Sequence, residues 1–206
     1  PAIYAADHRG SAPYQTLWKS TDRGESWRVA LSYRRGSLRG GPEGGFDGPV
    51  LRVDPRDPHV VFVAAPTGAG GGVPGSISRC DTATGAWRHF DIWQALERTD
   101  GNGGARIAID WHHAARAPEA PLILYVQLAH PGTRNILRSL EEGESWENMT
   151  YDSTNAGGQG FEVSPVTGEL FSGSEAGTRM LAPPYATEGT VGAGPGGRPN
   201  NIALTP

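Results

Sequence analysis

The sequence predicts an all-β chain, a β-propeller built of four-stranded blades, and three observations lead there. Two nearly identical octets recur, Ser20-Thr21-Asp22-Arg23-Gly24-Glu25-Ser26-Trp27 and Ser139-Leu140-Glu141-Glu142-Gly143-Glu144-Ser145-Trp146, both of the form S-x-[DE]-x-G-E-S-W. A looser copy, Cys80-Asp81-Thr82-Ala83-Thr84-Gly85-Ala86-Trp87, lies between them, with its Trp 60 residues after Trp27 and 59 before Trp146. A fixed period of that size marks a repeat architecture. Each period also divides into four short apolar runs bounded by turn residues, which read as strands.

The second repeat shows the plan most fully. Pro49–Asp54 is its first strand and Asp54-Pro55-Arg56-Asp57-Pro58 a proline-punctuated turn. Val60–Ala65 is a buried second strand, Ser76–Cys80 a third and Ala86–Asp91 a fourth. The third repeat follows with Ala105–Asp110, Leu122–Leu128, Asn135–Leu140 and Ser145–Tyr151, and its first turn carries an insertion, Trp111–Pro121. The fourth gives Gly160–Val163, Glu169–Gly173 and Thr178–Leu181. The first repeat opens late: Ala2–Ala6 aligns with a second strand, Gln15–Ser20 with a third and Ser26–Ser32 with a fourth.

The blades thus occupy residues 1–181, about three and a half of them, and 182–206 reads as a Gly/Pro-rich tail or linker to missing sequence. Asn201–Leu204 is expected to be a short strand or disordered. Propellers close with roughly four to eight blades, because an open ring leaves unpaired edges. Further blades, a second chain, or a tail that completes a fourth blade would each meet that need.

Composition narrows the partners. With 206 residues the chain can bury a core, and a net charge of −4 gives no reason to expect nucleic acid. No apolar run approaches the roughly 18 residues of a membrane span. Cys80 is the single cysteine, so no internal disulfide forms. The sequence lacks an initiator Met and a signal-peptide pattern, and reads as a mature chain or an excerpt. His112-His113 belongs to a surface insertion, and no H-x-x-x-H, H-E-x-x-H or paired-cysteine spacing points to a metal. No cofactor is expected.

The octets have a plain physical logic. An acid or hydroxyl early in the turn accepts bonds from the backbone N–H groups just after it. Gly24 and Gly143 supply the freedom to reverse the chain. The Trp is expected to return over the hairpin and bury its ring. These octets resemble the Asp-box (BNR) hairpin of sialidases, sortilin-type receptors and the two-propeller xyloglucanases. The resemblance implies a propeller in which this hairpin lies on the face away from the ligand.

The opposite face collects the second-to-third and fourth-to-first connections, several of them long and Gly-rich. Ile3-Tyr4-Ala5-Ala6-Asp7-His8-Arg9-Gly10 is similar to the xyloglucanase segment Ile-Tyr-Ala-Arg-Thr-Asp-Val-Gly-Gly, one residue short. The resemblance implies that Asp7 is a catalytic carboxylate. Glycoside hydrolysis uses two carboxyls, about 5–5.5 Å apart for retention and roughly 6.5–9.5 Å for inversion. Asp47, Asp100, Asp152 and Glu175 are candidate partners, and Glu175 occupies the loop of repeat four that corresponds to Asp7 in repeat one. His8 and His130 are candidate acid–base groups, with Tyr14, Tyr33 and Tyr151 as partners. Arg9, Arg34, Arg35, Arg39 and Arg134 suit a carboxylate-bearing sugar, because a guanidinium makes two parallel bonds. Phe46 and Trp93 offer flat faces for a sugar ring or for packing between blades.

The functional expectation is a secreted or extracytoplasmic carbohydrate-active protein. It is a glycoside hydrolase acting on a polysaccharide at the axial face, with Asp7 and Glu175 catalytic. His8, Arg9, Tyr33, Arg35, Phe46, Asp47, Trp93, His130 and Arg134 would bind substrate. The alternative is a non-catalytic propeller that binds glycan or protein.

Overall fold

The structure, a computed structural model, describes residues 2–6, 14–34, 50–65, 76–90, 92, 105–128, 136–149, 161–174, 177–181 and 190–191. Four antiparallel sheets follow one another along the chain. The first contains β1 (Ile3–Ala6), β2 (Tyr14–Ser20) and β3 (Arg28–Arg34). The second contains β4 (Val50–Val53), β5 (Val60–Ala65), β6 (Ser76–Asp81) and β7 (Ala86–Phe90). The third is built from β8 (Ala105–Ile109), β9 (Leu124–Leu128), β10 (Ile136–Ser139) and β11 (Glu147–Asn148), with a short helix, α1 (Trp111–Arg116), between β8 and β9. The fourth holds β12 (Phe161–Val163), β13 (Leu170–Ser174), β14 (Gly177–Leu181) and β15 (Thr190–Val191). Each strand pairs with its predecessor in sequence, which is the up-and-down order of a propeller blade. The all-β prediction holds, as does the late opening of the first sheet, which has three strands. The tail supplies the fourth strand of the fourth sheet, as one of the sequence's alternatives had it, at a place the sequence did not mark: Thr190 and Val191 pair with Met180 and Arg179. Asn201–Leu204 lies outside the described residues.

The chain divides into two compact units. The first, Pro1–Asp91 with Arg98–Ala105, holds the first and second sheets, and the other holds the fourth sheet and the third from Arg106 onward. Within each unit two sheets pack face to face. In the first unit Leu17 of β2 meets Val61 and Val63 of β5, flanked by Tyr4, Ala30, Leu51 and Trp87. In the second, Ala108, Ile123, Tyr125, Ile136 and Met149 meet Phe161, Val163 and Leu170 of the fourth sheet. The second strands explain the stacking. Val60, Val61, Phe62 and Val63 are all buried, as is the run from Leu122 to Gln127. Alternate residues of a strand point to opposite faces, so a continuous buried run means that both faces are covered.

The first turn closes in one way in the second, third and fourth repeats. The residue after the first strand donates its N–H to the start of the second: Asp54 N to Val60 O at 2.9 Å, Asp110 N to Ile123 O at 3.0 Å, Ser164 N to Glu169 O at 2.8 Å. The side chain of that same residue then accepts from the turn. Asp54 Oδ1 takes Arg56 N at 2.8 Å, Asp110 Oδ1 takes His113 N at 2.8 Å, and Ser164 Oγ takes Thr167 N at 3.1 Å. In the third repeat this acceptor is the N-cap of α1, so the insertion begins as one and a half turns of helix. Asp54 is buried, and Arg56 satisfies it with a forked pair, Nε to Oδ1 at 3.2 Å and Nη2 to Oδ2 at 3.1 Å.

The two octets fold alike. Ser20 Oγ accepts from Gly24 N at 2.8 Å, and Ser139 Oγ from Gly143 N at 2.7 Å. The acid two residues on is tied to the second serine: Ser26 donates through Oγ and N to Asp22, and Ser145 Oγ donates to Glu141 Oε2 at 2.9 Å. Arg23 and Glu142 share the left-handed conformation, with φ of 62° and 54°, directly before Gly24 and Gly143 at 93° and 98°. The looser copy closes differently. Asp81 Oδ1 caps Ala83 N and Thr84 N, Gly85 N returns to Asp81 O at 2.8 Å, and the displaced Gly85 takes φ 75°.

Ring burial is corrected at the first octet. Trp27 remains 42% exposed, held by Nε1 donating to Gly24 O at 3.1 Å rather than by a core. Trp87 and Trp146 are partly buried.

Candidate functional site

Of the residues the sequence placed at the axial face, Asp7, His8, Arg9, Arg35, Phe46, Asp47, Trp93, His130, Arg134 and Glu175 lie outside the described residues. Tyr33 lies in β3 opposite Gln15. β1 ends at Ala6 and β13 at Ser174, so in sequence Asp7 follows the first strand of its three-stranded sheet and Glu175 the second strand of the fourth sheet.

The octet end of the first unit carries a cleft of about 190 Å³, lined by Lys19, Arg28, Val29, Ala30, His59, Thr82 and Ala83. Four separate segments build it. Lys19 is the last residue of β2 but one, just before the octet, and Arg28 opens β3 directly across from it. His59 ends the turn between β4 and β5, and Thr82 opens the hairpin between β6 and β7. Two bonds join the latter pair, Thr82 N and Oγ1 to His59 O at 2.8 and 2.9 Å. Lys19 is 4% exposed. Its ammonium donates to Pro58 O at 3.1 Å, lies 3.3 Å from His59 Nδ1, and sits 5.1 Å from the centre of the Tyr4 ring. Tyr4 Oη donates to the same Pro58 carbonyl at 2.5 Å and lies 3.0 Å from Thr82 Oγ1. The cluster fastens β1 and β2 to two turns of the second sheet, and it presents cationic groups to the cleft.

The acids of this end serve the hairpins. The Ser26 hydroxyl and N–H, then the Ser20 hydroxyl, hold the Asp22 carboxyl down at about 2. Asp81 is likewise lowered, first by the Ala83 N–H and then by Thr84. Burial, with the Asp81 charge next to it, pushes the Cys80 thiol up to about 11. Among the described residues no group of three or more His, Cys, Asp and Glu side chains is placed to hold a metal ion, and no helix is long and apolar enough to cross a membrane.

Sequence reasoning did not single out Lys19, Arg28, His59 or Thr82. No local signal joins them, since they lie as much as 63 residues apart and meet only through the packing of two sheets. A faint cue was Lys19 itself, a charge in a strand whose neighbour Leu17 faces the core.

No protein-family model matches the chain, and neither does any curated protein sequence. Solved structures do. A GH74 enzyme from Niastella koreensis superposes with a TM-score of 0.59 at 16% identity, over 92% of this chain and 28% of that one. A gluconolactonase from Xanthomonas campestris gives 0.51 at 14%, over 88% and 55%. TolB from Acinetobacter baumannii gives 0.52 at 11%, over 88% and 41%. The chain therefore shares the β-propeller fold, and it spans between about a quarter and just over half the length of these structures.

Proposed function

We propose that this chain forms blades of a secreted carbohydrate-active propeller, a glycoside hydrolase acting on a polysaccharide at the axial face. The supporting observation is the pair of octet hairpins, whose serine–acid–glycine bonding repeats between Ser20 and Ser139 in the manner of an Asp-box. The superposition on a GH74 enzyme over 92% of this chain adds to it. In this reading Asp7 is the general acid or base. The second carboxylate is Glu175, which follows the corresponding strand of the fourth sheet, or comes from further blades. His8, Arg9, Tyr33, Arg35, Phe46, Asp47, Trp93, His130 and Arg134 contact the glycan. Residues 1–181 carry the blades and 182–206 lead on from them, with Thr190–Val191 paired onto the fourth sheet. The 28% coverage of the GH74 chain supports a larger propeller made with further blades or a second chain.

The test is hydrolysis of a polysaccharide panel that includes xyloglucan, by the native chain and by Asp7→Asn. Loss of a general acid or base lowers turnover by about 10²–10⁴-fold and leaves substrate binding in place. Unchanged turnover in Asp7→Asn would remove Asp7 from the mechanism. A second reading, a non-catalytic propeller that binds glycan or protein, is favoured by the comparable superposition on TolB. It requires saturable glycan or protein binding with no turnover on any substrate.

A further inference from the structure

A cation is buried at the octet end of the first unit with no carboxylate among the described residues bonded to it. Lys19 is 4% exposed, and its two polar contacts, Pro58 O and His59 Nδ1, are neutral acceptors. An ammonium carries three donors; beside these two acceptors it faces the Tyr4 ring, 5.1 Å from its centre, and among the described residues no carboxylate pairs with it. Burying such a charge is costly unless it is paired. This ammonium belongs to a residue that lines an open cleft rather than a closed core.

The rest of the cleft has the same sign. Arg28, exposed and opposite Lys19 in the strand pair, also lines it. His59 Nδ1 lies 3.3 Å from the Lys19 ammonium, and in the tautomer that accepts this N–H the ring proton sits on Nε2 as a further donor. Two acids stand nearby, and both are engaged in turns: Asp57 Oδ1 accepts from His59 N at 2.8 Å, and Asp81 Oδ1 from Ala83 N at 2.8 Å.

We propose that this cleft binds one oxyanion group, a carboxylate, sulfate or phosphate, with Lys19 and Arg28 as its charged partners and His59 as a neutral donor. A volume of 190 Å³ equals about six waters at ~30 Å³ each, which admits an oxyanion and a few carbons but not a polymer chain. The ligand is thus a small acid or the charged terminus of something longer. The site lies at the octet end, opposite the axial face of the proposed function, and does not depend on it.

The experiment is thermal unfolding of the whole chain with sodium sulfate, phosphate, acetate or glucuronate, each balanced by chloride to constant ionic strength. A ligand that binds only the folded state raises Tm in a saturable way. The expected result is such a rise with at least one of the four, half-saturating on the order of millimolar. Sulfate and phosphate alone would mark a tetrahedral ester as the ligand, and acetate or glucuronate alone a carboxylic acid. Arg28→Gln, at an exposed position, should weaken the effect about tenfold while the anion-free Tm stays put. Lys19→Met should abolish the effect and raise the anion-free Tm, because it removes a buried charge and keeps the apolar stem. A Lys19 that merely ties the two sheets together predicts the reverse, a lower Tm in Lys19→Met and no anion response in the native chain. Either that pattern or an undiminished response in Arg28→Gln overturns the proposal. If Lys19→Met fails to fold, Arg28→Gln decides.

Discussion

At the scale of single residues, the first octet separates backbone strain from side-chain chemistry. Arg23 and Gly24 both have positive φ, but only glycine adopts it without strain. A Cβ at Gly24 would come no closer than 3.9 Å to the Trp27 ring, so Gly24→Ala tests the backbone alone. It should cost about 1–2 kcal/mol in urea unfolding, while Arg23→Gly should gain up to about 1 kcal/mol. Asp22 supplies the pH dependence. Its folded value of about 2 lies below the ordinary 3.8, so its contribution to stability is fully present above 3.8 and is lost as pH falls through 2. Carbon-detected NMR of the Asp22 carboxyl should give a midpoint near 2, and Ser26→Ala should move it upward, because the Ser26 hydroxyl is the largest cause of the shift. The hydroxyl and acid positions of the octet were legible in the sequence, because the partners lie within four residues of one another. The half-exposure of Trp27 was not, since burial of a ring depends on what packs over the hairpin from elsewhere in the chain.

At the scale of elements, the strands were the most legible part, and α1 the least. Val60–Ala65 and Leu124–Leu128 announce themselves because both faces are covered and every position is free to be apolar. Phe62→Ala should therefore cost about 3–5 kcal/mol, measured by chemical unfolding. A helix of six residues has no room for an amphipathic period, and Trp111–Arg116 buries only Ala114. Its one sequence signal was Asp110 just ahead of Trp111, an N-cap residue in the right place. Asp110→Ala removes that cap and should destabilise by about 1–2 kcal/mol, with faster hydrogen exchange at the His113 amide as the local reading. The pair Thr190–Val191 was invisible for a different reason. Two residues carry no periodicity, and the Gly-rich sequence around them reads as linker.

At the scale of the molecule, the repeat period gave away the fold because a blade is a self-similar unit, and each unit must meet another to cover its faces. The sequence offered site candidates only on the axial side, where they rest on a family resemblance and lie almost wholly outside the described residues. The cationic cleft is assembled by packing, and packing leaves no local trace in sequence. Cys80 turns one of these packed interfaces into a reporter. It is buried in the second sheet and its thiol is held up at about 11, so a thiol reagent at neutral pH should leave the native chain unlabelled. Labelling should appear only as the first unit opens, and its rate should follow the denaturant dependence of that opening. The shared closure of the first turns has a wider meaning. One bond from strand end to strand start spans five residues in the second repeat, twelve in the third and four in the fourth, and the sheets on either side pair in the same order. The frame accepts anything from four to twelve residues between those two anchors. Foreign peptides grafted at 165–168 should be carried as passengers, whereas 55–59 is bound to its neighbours through Arg56, Pro58 and His59, so a loop becomes open to new cargo only where the strand ends alone hold it.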